Sequence, residues 1–123
     1  MRRTYALLVP ILLLAGCSVS GTRSCDATAG WEAGVADHRA ASRCVDDAAY
    51  RDSYQLGATV AEYRARLERL AREESLLREA GVERDAAAAS RQQIAIQREL
   101  DALIGIATTR GWIPPHAAAE RGD

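Results

Sequence analysis

The 123-residue chain contains no lysine and no phenylalanine, and aromatic residues make up only 5% of it. Without lysine there is no Schiff base, no P-loop lysine and no amide crosslink through a side-chain amine. The scarcity of aromatics leaves few anchors for a thick globular core. An excess of one charge is missing as well. The 16 basic residues, all of them arginine, stand against 17 acidic ones, for a formal net charge of −1. That balance argues against a general polyanion binder, so no nucleic-acid partner is expected. Alanine is what the chain has in abundance, and it suits thin helices packed side by side. The length is that of one small domain.

The only long apolar run lies at the start. Met1-Arg2-Arg3 is followed by Tyr5 to Leu14 and then by Leu14-Ala15-Gly16-Cys17. A positive segment ahead of a short apolar run reads as a secretory signal, residues 1–16. As a helix, residues 5–16 would span roughly 18 Å, against about 30 Å of hydrocarbon, so they do not read as a membrane-spanning segment. The four closing residues resemble a bacterial lipobox. That resemblance implies a diacylglyceryl group on the Cys17 thiol, cleavage before Cys17 and acylation of the new amine. Two or more acyl chains anchor a protein stably where one does not. Ser18, in place of an aspartate, implies by the same resemblance release to the periplasmic face of the outer membrane. The mature chain loses Arg2 and Arg3, leaving 14 bases against 17 acids and a formal net charge of −3.

With Cys17 lipidated, Cys25 and Cys44 remain as an even pair in an oxidising compartment, where disulfides persist. The rival readings are two free thiols or a metal site. Zinc sites use closely paired ligands, but only His38 lies between these cysteines, and His116 is far away. The expectation is a Cys25–Cys44 disulfide, with no metal and no cofactor. Residues 17–25 then read as the lipidated cysteine and a small, polar tether.

From Asp26 the pattern is helical. Trp31, Val35 and His38 share one face of a first helix expected over 27–42, and Gly34 would let another backbone approach. A second helix, 47–80, carries a seam of Leu56, Val60, Tyr63, Leu67, Leu70, Glu74 and Leu77, with steps alternating four and three. Glu62–Arg66, Glu68–Arg72, Arg69–Glu73 and Glu74–Arg78 flank it at ion-pair spacing. Gly81 is a natural cap. A third helix, 83–108, repeats Ile96, Leu100, Leu103 and Ala107, while its Asp85–Ser90 stretch favours helix but offers little to bury. No segment alternates as a strand. The fold class expected is all-α: a short N-terminal helix disulfide-linked to a long antiparallel, coiled-coil-like hairpin, one helical domain over 26–110. Residues 111–123, with Pro114 and Pro115, read as a disordered tail. The alternative to the hairpin is one continuous helix through Gly81, which would need a partner to cover it.

Trp31-Glu-Ala-Gly34-Val-Ala-Asp37, bracketed by Cys25 and Cys44 and followed by Tyr54-Gln-Leu-Gly57, resembles a family of small proteobacterial lipoproteins of unknown function. The likeness covers about residues 17–60. It implies a secreted lipoprotein with paired cysteines and assigns no catalytic residues. Further Tyr/Gly units and another cysteine of that family are missing here.

Trp31, Asp37, His38 and Arg39 form the densest polar-aromatic cluster. Ser42 is the only nearby hydroxyl and lacks a nucleophile-elbow frame, so no catalytic residue is assigned. Trp31 is expected to pack on Tyr50 or Tyr54. Tyr50, Tyr54 and Tyr63 make a stripe that either packs on the first helix or lines a groove for a peptide or glycan. Trp112 heads an apolar patch that either tucks onto the hairpin end or docks on another protein. Trp31, Tyr50, Tyr54, Tyr63 and Trp112 are therefore the candidate partner-binding residues. The function expected is a non-enzymatic, membrane-anchored interaction or scaffolding module with a protein partner or a second copy of itself. The alternative is a periplasmic inhibitor or immunity protein against a lytic enzyme.

Overall fold

The computed structural model describes residues 24–113. The expected leader, Cys17 with its expected lipid, and the residues from 114 onward lie outside that span. The described residues form three helices, α1 (Ala27–Val35), α2 (Ala48–Glu79) and α3 (Glu83–Thr109), with a single 3-10 turn at Ser42–Cys44 and no strand.

Local chemistry sets the helix starts. Asp26 caps α1, its carboxylate accepting from the Ala29 amide at 2.8 Å and from the Ser24 hydroxyl at 2.8 Å. Asp47 caps α2 in the same way, accepting from the Tyr50 amide at 3.1 Å. No side chain caps α3, but Glu83 and Asp85 place negative charge in its first turn, where the helix dipole favours it.

All three helices end alike. The last turn closes with a 5→2 and a 6→1 amide-to-carbonyl bond around a residue of positive φ. At the end of α2 that residue is Gly81 (φ 76°), and at the end of α3 it is Gly111 (φ 72°). At the end of α1 it is Asp37, with φ 56°, a conformation that costs a side chain about 1 kcal/mol. The Asp37 amide donates to the Gly34 carbonyl and the His38 amide to the Ala33 carbonyl, each at 3.0 Å.

This cap stops α1 at Val35, seven residues before the expected end at residue 42. The chain then turns back along α2. The Tyr54 hydroxyl donates to the His38 carbonyl at 2.7 Å, and the Ala41 amide donates to the Tyr50 hydroxyl at 3.1 Å. The return ends at Cys44, bonded to Cys25 (Cα–Cα 5.1 Å). The disulfide thus joins the start of α1 to the approach of α2.

The chain reverses at Gly81, so α2 and α3 form an antiparallel hairpin. Every expected seam position of α2, from Leu56 to Leu77, is buried or half-buried. The α3 seam is longer than its large residues suggest. It runs Ala86, Ala89, Gln93, Ile96, Leu100, Leu103, Ala107, again in steps of three and four, and Ala86 is fully buried. The alanine stretch expected to bury little therefore belongs to the interface. Its small side chains let the helices approach closely near the tip.

The main core lies at the other end, the base, where α1 is added. Trp31, Val60, Leu100, Ala107 and Ile113 form the buried cluster, with Tyr63 and Trp112 packed against it. Trp31 fills this cluster, while Tyr50 and Tyr54 stack on each other with ring centroids 6.1 Å apart. Residues 111–113 belong to the fold and not to a loose tail. Gly111 closes the α3 cap, Ile113 is buried, and the Arg110 guanidinium lies 5.0 Å over the Trp112 ring.

α1 docks through small residues. Gly30 and Gly34, one turn apart, face Ser53 and Gly57, also one turn apart. A Cβ at Gly57 would lie 2.7 Å from the Trp31 carbonyl oxygen and 2.9 Å from the Val35 nitrogen. The helices are therefore in backbone contact. Buried Ser53 stays satisfied by donating to the Tyr50 carbonyl at 3.0 Å.

Candidate interaction face above the first helix

The fold sorts the five aromatic candidates by burial. Trp31 is 5% exposed and Tyr50 3%, so neither presents a ring to an incoming partner. Both were expected as partner-binding residues, and both are structural: Trp31 of α1 packs into the hairpin core, and α1 and the returning loop lie against Tyr50. Tyr54, Tyr63 and Trp112 are half-buried. Tyr54 holds the loop through His38. Tyr63 lies in the hairpin seam, where the Glu99 carboxylate, as acceptor and as charge, pushes its phenol above the usual range. Trp112 closes the base. Trp31, Tyr63 and Trp112 thus meet in one core, while Tyr50 and Tyr54 form a separate stack; the five do not build one surface.

The polar cluster of Asp37, His38 and Arg39 is exposed at the α1 cap. The residues of the Trp31–Asp37 box have structural work there: Trp31 fills the core, Gly34 admits α2, and Asp37 takes the left-handed turn. Among the described residues there is no group of three or more His, Cys, Asp or Glu placed to hold a metal ion. Among the same residues no helix is long and apolar enough to cross a membrane.

Two stretches of the hairpin stay open beyond α1: the flank above it, and the opposite flank, where Leu70, Leu77, Ala89 and Gln92 help line a groove of about 220 Å³. α1 reaches α2 at Tyr54, Gly57 and Ala58. Gly57, Arg64 and Ala71 follow at seven-residue steps, so the flank that α1 covers continues upward past its end. There Leu67, Glu68 and Ala71 of α2 and Gln93, Ile94 and Gln97 of α3 line an open groove of about 400 Å³. Ile94 is 52% exposed on it. At the tip Leu76 is 65% exposed and Val82 39%. The upper hairpin is thus two helices thick, with Leu76, Val82 and Ile94 in water, whereas at the base a third element covers one flank and Val45 and Ile106 are the exposed apolar residues among those described.

A polar lock sits inside this upper half. Glu74 occupies a seam position and accepts from the Gln93 amide across the hairpin at 2.6 Å and from Arg78 at 2.8 Å. Arg78 also bonds Glu83 at 3.0 Å, tying the last turn of α2 to the first of α3. Arg78, then Gln93, hold the Glu74 carboxyl below its ordinary range. Of the four ion pairs suggested by spacing, Glu74–Arg78 closes within α2, and its two residues also bond Gln93 and Glu83 of α3.

The groove was missed in the sequence because Ile94 lies outside the α3 seam and Ala71 passes for filler. The available signal was the heptad continuation from Gly57 to Ala71. Comparison with protein-family models, curated proteins and solved structures found no match to this chain.

Proposed function

We propose that the protein is a lipid-anchored envelope protein that works as a non-enzymatic helical interaction module, with the open flank above α1 as its working face. The observation that carries this reading is the groove between Leu67, Ala71 and Ile94, left uncovered where α1 stops. The address rests on the amino-terminal sequence: Arg2 and Arg3, the apolar run and the Leu14–Cys17 lipobox-like segment. The fold suits such an anchor. The disulfide fastens Cys25 beside the start of α2, so a tether from Cys17 enters at the base. The Gly81 turn then stands roughly 48 Å away along α2.

The test combines metabolic labelling with partner capture. Full-length protein should incorporate labelled palmitate and fractionate with the envelope, and Cys17→Ser should lose both. Tagged full-length protein should co-purify an envelope protein partner or a second copy of itself, and Ile94→Glu should lower that recovery without changing helix content. Unlabelled protein in the cytosol, or recovery indifferent to Ile94→Glu, overturns the proposal.

A further inference from the structure

We infer that the outward face of α3 rests on the bilayer: Arg84, Arg91 and Arg98 dock on anionic phospholipid headgroups and lay the hairpin along the membrane. This rests on the lipid-anchored reading for bringing a bilayer near, and adds a second, electrostatic contact to it.

The three arginines follow one another at seven-residue steps. On an α-helix that places them within about 40° of one another and about 10 Å apart along the axis. They lie nearly opposite the seam of Ala89, Ile96, Leu100, Leu103 and Ala107, so they face away from α2, and all three are exposed. Ala87, Ala95 and Ala102 fill the ground between and beside them, too small to hold the helix off a flat surface.

The acids around this stripe set it apart from the arginines of α2. Arg51, Arg64, Arg66, Arg69, Arg72 and Arg78 each have an aspartate or glutamate four residues away, so their charge is met on the same face. Arg84 and Arg91 have no acid three or four residues to either side. Arg98 has one, Asp101, which accepts from Gln97 at 2.9 Å. Glu83, Asp85 and Glu99 lie about 80° or more round the helix from the middle of the stripe. Glu83 bonds Arg78, and Glu99 is turned to Tyr63. Among the described residues Arg84, Arg91 and Arg98 make no ion pair.

Charge complementarity alone would suit any row of anions; the tether commits this face to a bilayer. Cys25 is fastened to Cys44 just ahead of α2. Eight residues link it to Cys17, a reach of at most about 28 Å. With α3 face down, the α2 axis rides roughly 15 Å above the headgroups, the sum of the distance between packed helices and the radius of α3. The reach therefore covers the gap. A lipid at Cys17 fixes a point and not an orientation, and the stripe supplies the orientation. Near an anionic leaflet each arginine favours contact roughly fivefold, and three together about a hundredfold. Resting on this face leaves the groove beside Ile94 open to the side.

Arginine-selective modification tests this cleanly in a chain without lysine. Protein expressed full length is used with its native lipid or, where the Cys17 thiol is free, after coupling there to a maleimide phospholipid; the disulfide leaves Cys17 as the single thiol. It is placed on vesicles of phosphatidylcholine alone and of equal parts phosphatidylcholine and phosphatidylglycerol. Phenylglyoxal adducts are then followed at each arginine by mass spectrometry. Arg84, Arg91 and Arg98 should react roughly fivefold more slowly on the anionic vesicles, and raised salt should remove the difference. Arg69 and Arg72, on the outer side of α2, should react alike on both. Ala95→Glu sets an acid four residues from Arg91 and should restore the rate there, with helix content unchanged by circular dichroism. Equal rates at the three arginines on the two vesicles, or slowing of Arg69 and Arg72 to the same degree, overturns the inference. A protein partner captured through Ile94 while these rates stay equal defeats it and leaves the interaction-module reading standing. Protein recovered without lipid at Cys17 defeats the address proposed above and leaves this measurement intact.

Discussion

Gly57→Ala offers a direct measure of how α1 is held. The new Cβ would lie 2.7 Å from the Trp31 carbonyl oxygen, 2.9 Å from the Val35 nitrogen and 3.1 Å from the Gly34 Cα. All three are backbone atoms, so no side chain can swing away, and ordinary contact requires α1 to retreat by several tenths of an ångström. Overpacking of this kind costs about 1–3 kcal/mol. Against it stands the intrinsic gain of alanine over glycine inside a helix, about 1 kcal/mol. The clash involves three backbone contacts at once, which places its cost toward the upper end, so the net expectation is a loss of about 1–2 kcal/mol. Gly105→Ala is the internal control. Gly105 is also a helix-interior glycine, but its added Cβ meets nothing within 4 Å, so this variant should gain about 0.5–1 kcal/mol. Thermal unfolding of both variants followed by circular dichroism, with the disulfide intact, separates packing from propensity. The two should move in opposite directions, Gly57→Ala down and Gly105→Ala up, by roughly 4–8 °C per kcal/mol for a domain of this size. If Gly57→Ala is stabilised as much as Gly105→Ala, α1 does not pack on α2 as described.

Reduction of Cys25–Cys44 opens a loop of 19 residues' separation and should cost about 3 kcal/mol, read as a lower denaturant midpoint in reductant with little loss of α2 and α3 helicity. Asp37→Gly removes the strain of a left-handed aspartate and should leave stability unchanged or raise it by up to about 1 kcal/mol, whereas Asp37→Val should lower it; equal effects of the two in chemical denaturation would contradict the cap. Asp26 is held below its ordinary value first by the Ala29 amide and then by Ser24. Its folded value is therefore the lower one, so its contribution is present above the ordinary carboxylate range and lost as pH falls through the folded value. Asp26→Ala should cost about 1 kcal/mol at neutral pH, with the difference from wild type shrinking in acid unfolding titrations.

The hairpin was legible because its physics is local and periodic. Alternating steps of three and four place Leu56 through Leu77 on one face whatever the partner, and a glycine at 81 with charged helix formers on both sides marks the reversal. The end of α1 was not legible. Residues 35–45 contain no glycine or proline to punctuate them, and the stop depends on Asp37 taking a left-handed turn. Two tyrosines on another helix, Tyr50 and Tyr54, then secure the returning loop. The share of Ala86 and Ala89 in the seam was equally hidden, because small residues announce close approach only when the facing helix is known. The Trp31–Asp37 box, with His38 and Arg39 directly after it, drew attention as a candidate for chemistry because together they mix aromatic, acidic, imidazole and guanidinium side chains. Its spacing is explained by a core ring, a glycine contact and a cap.

A photo-crosslinking amino acid placed at position 94 of the full-length chain, in living cells, probes the open flank where it works. The account predicts a discrete protein adduct from position 94 and none from position 106, an exposed apolar site on the other side of α3. Adducts at neither position, or equally at both, would contradict a dedicated docking face on the upper hairpin.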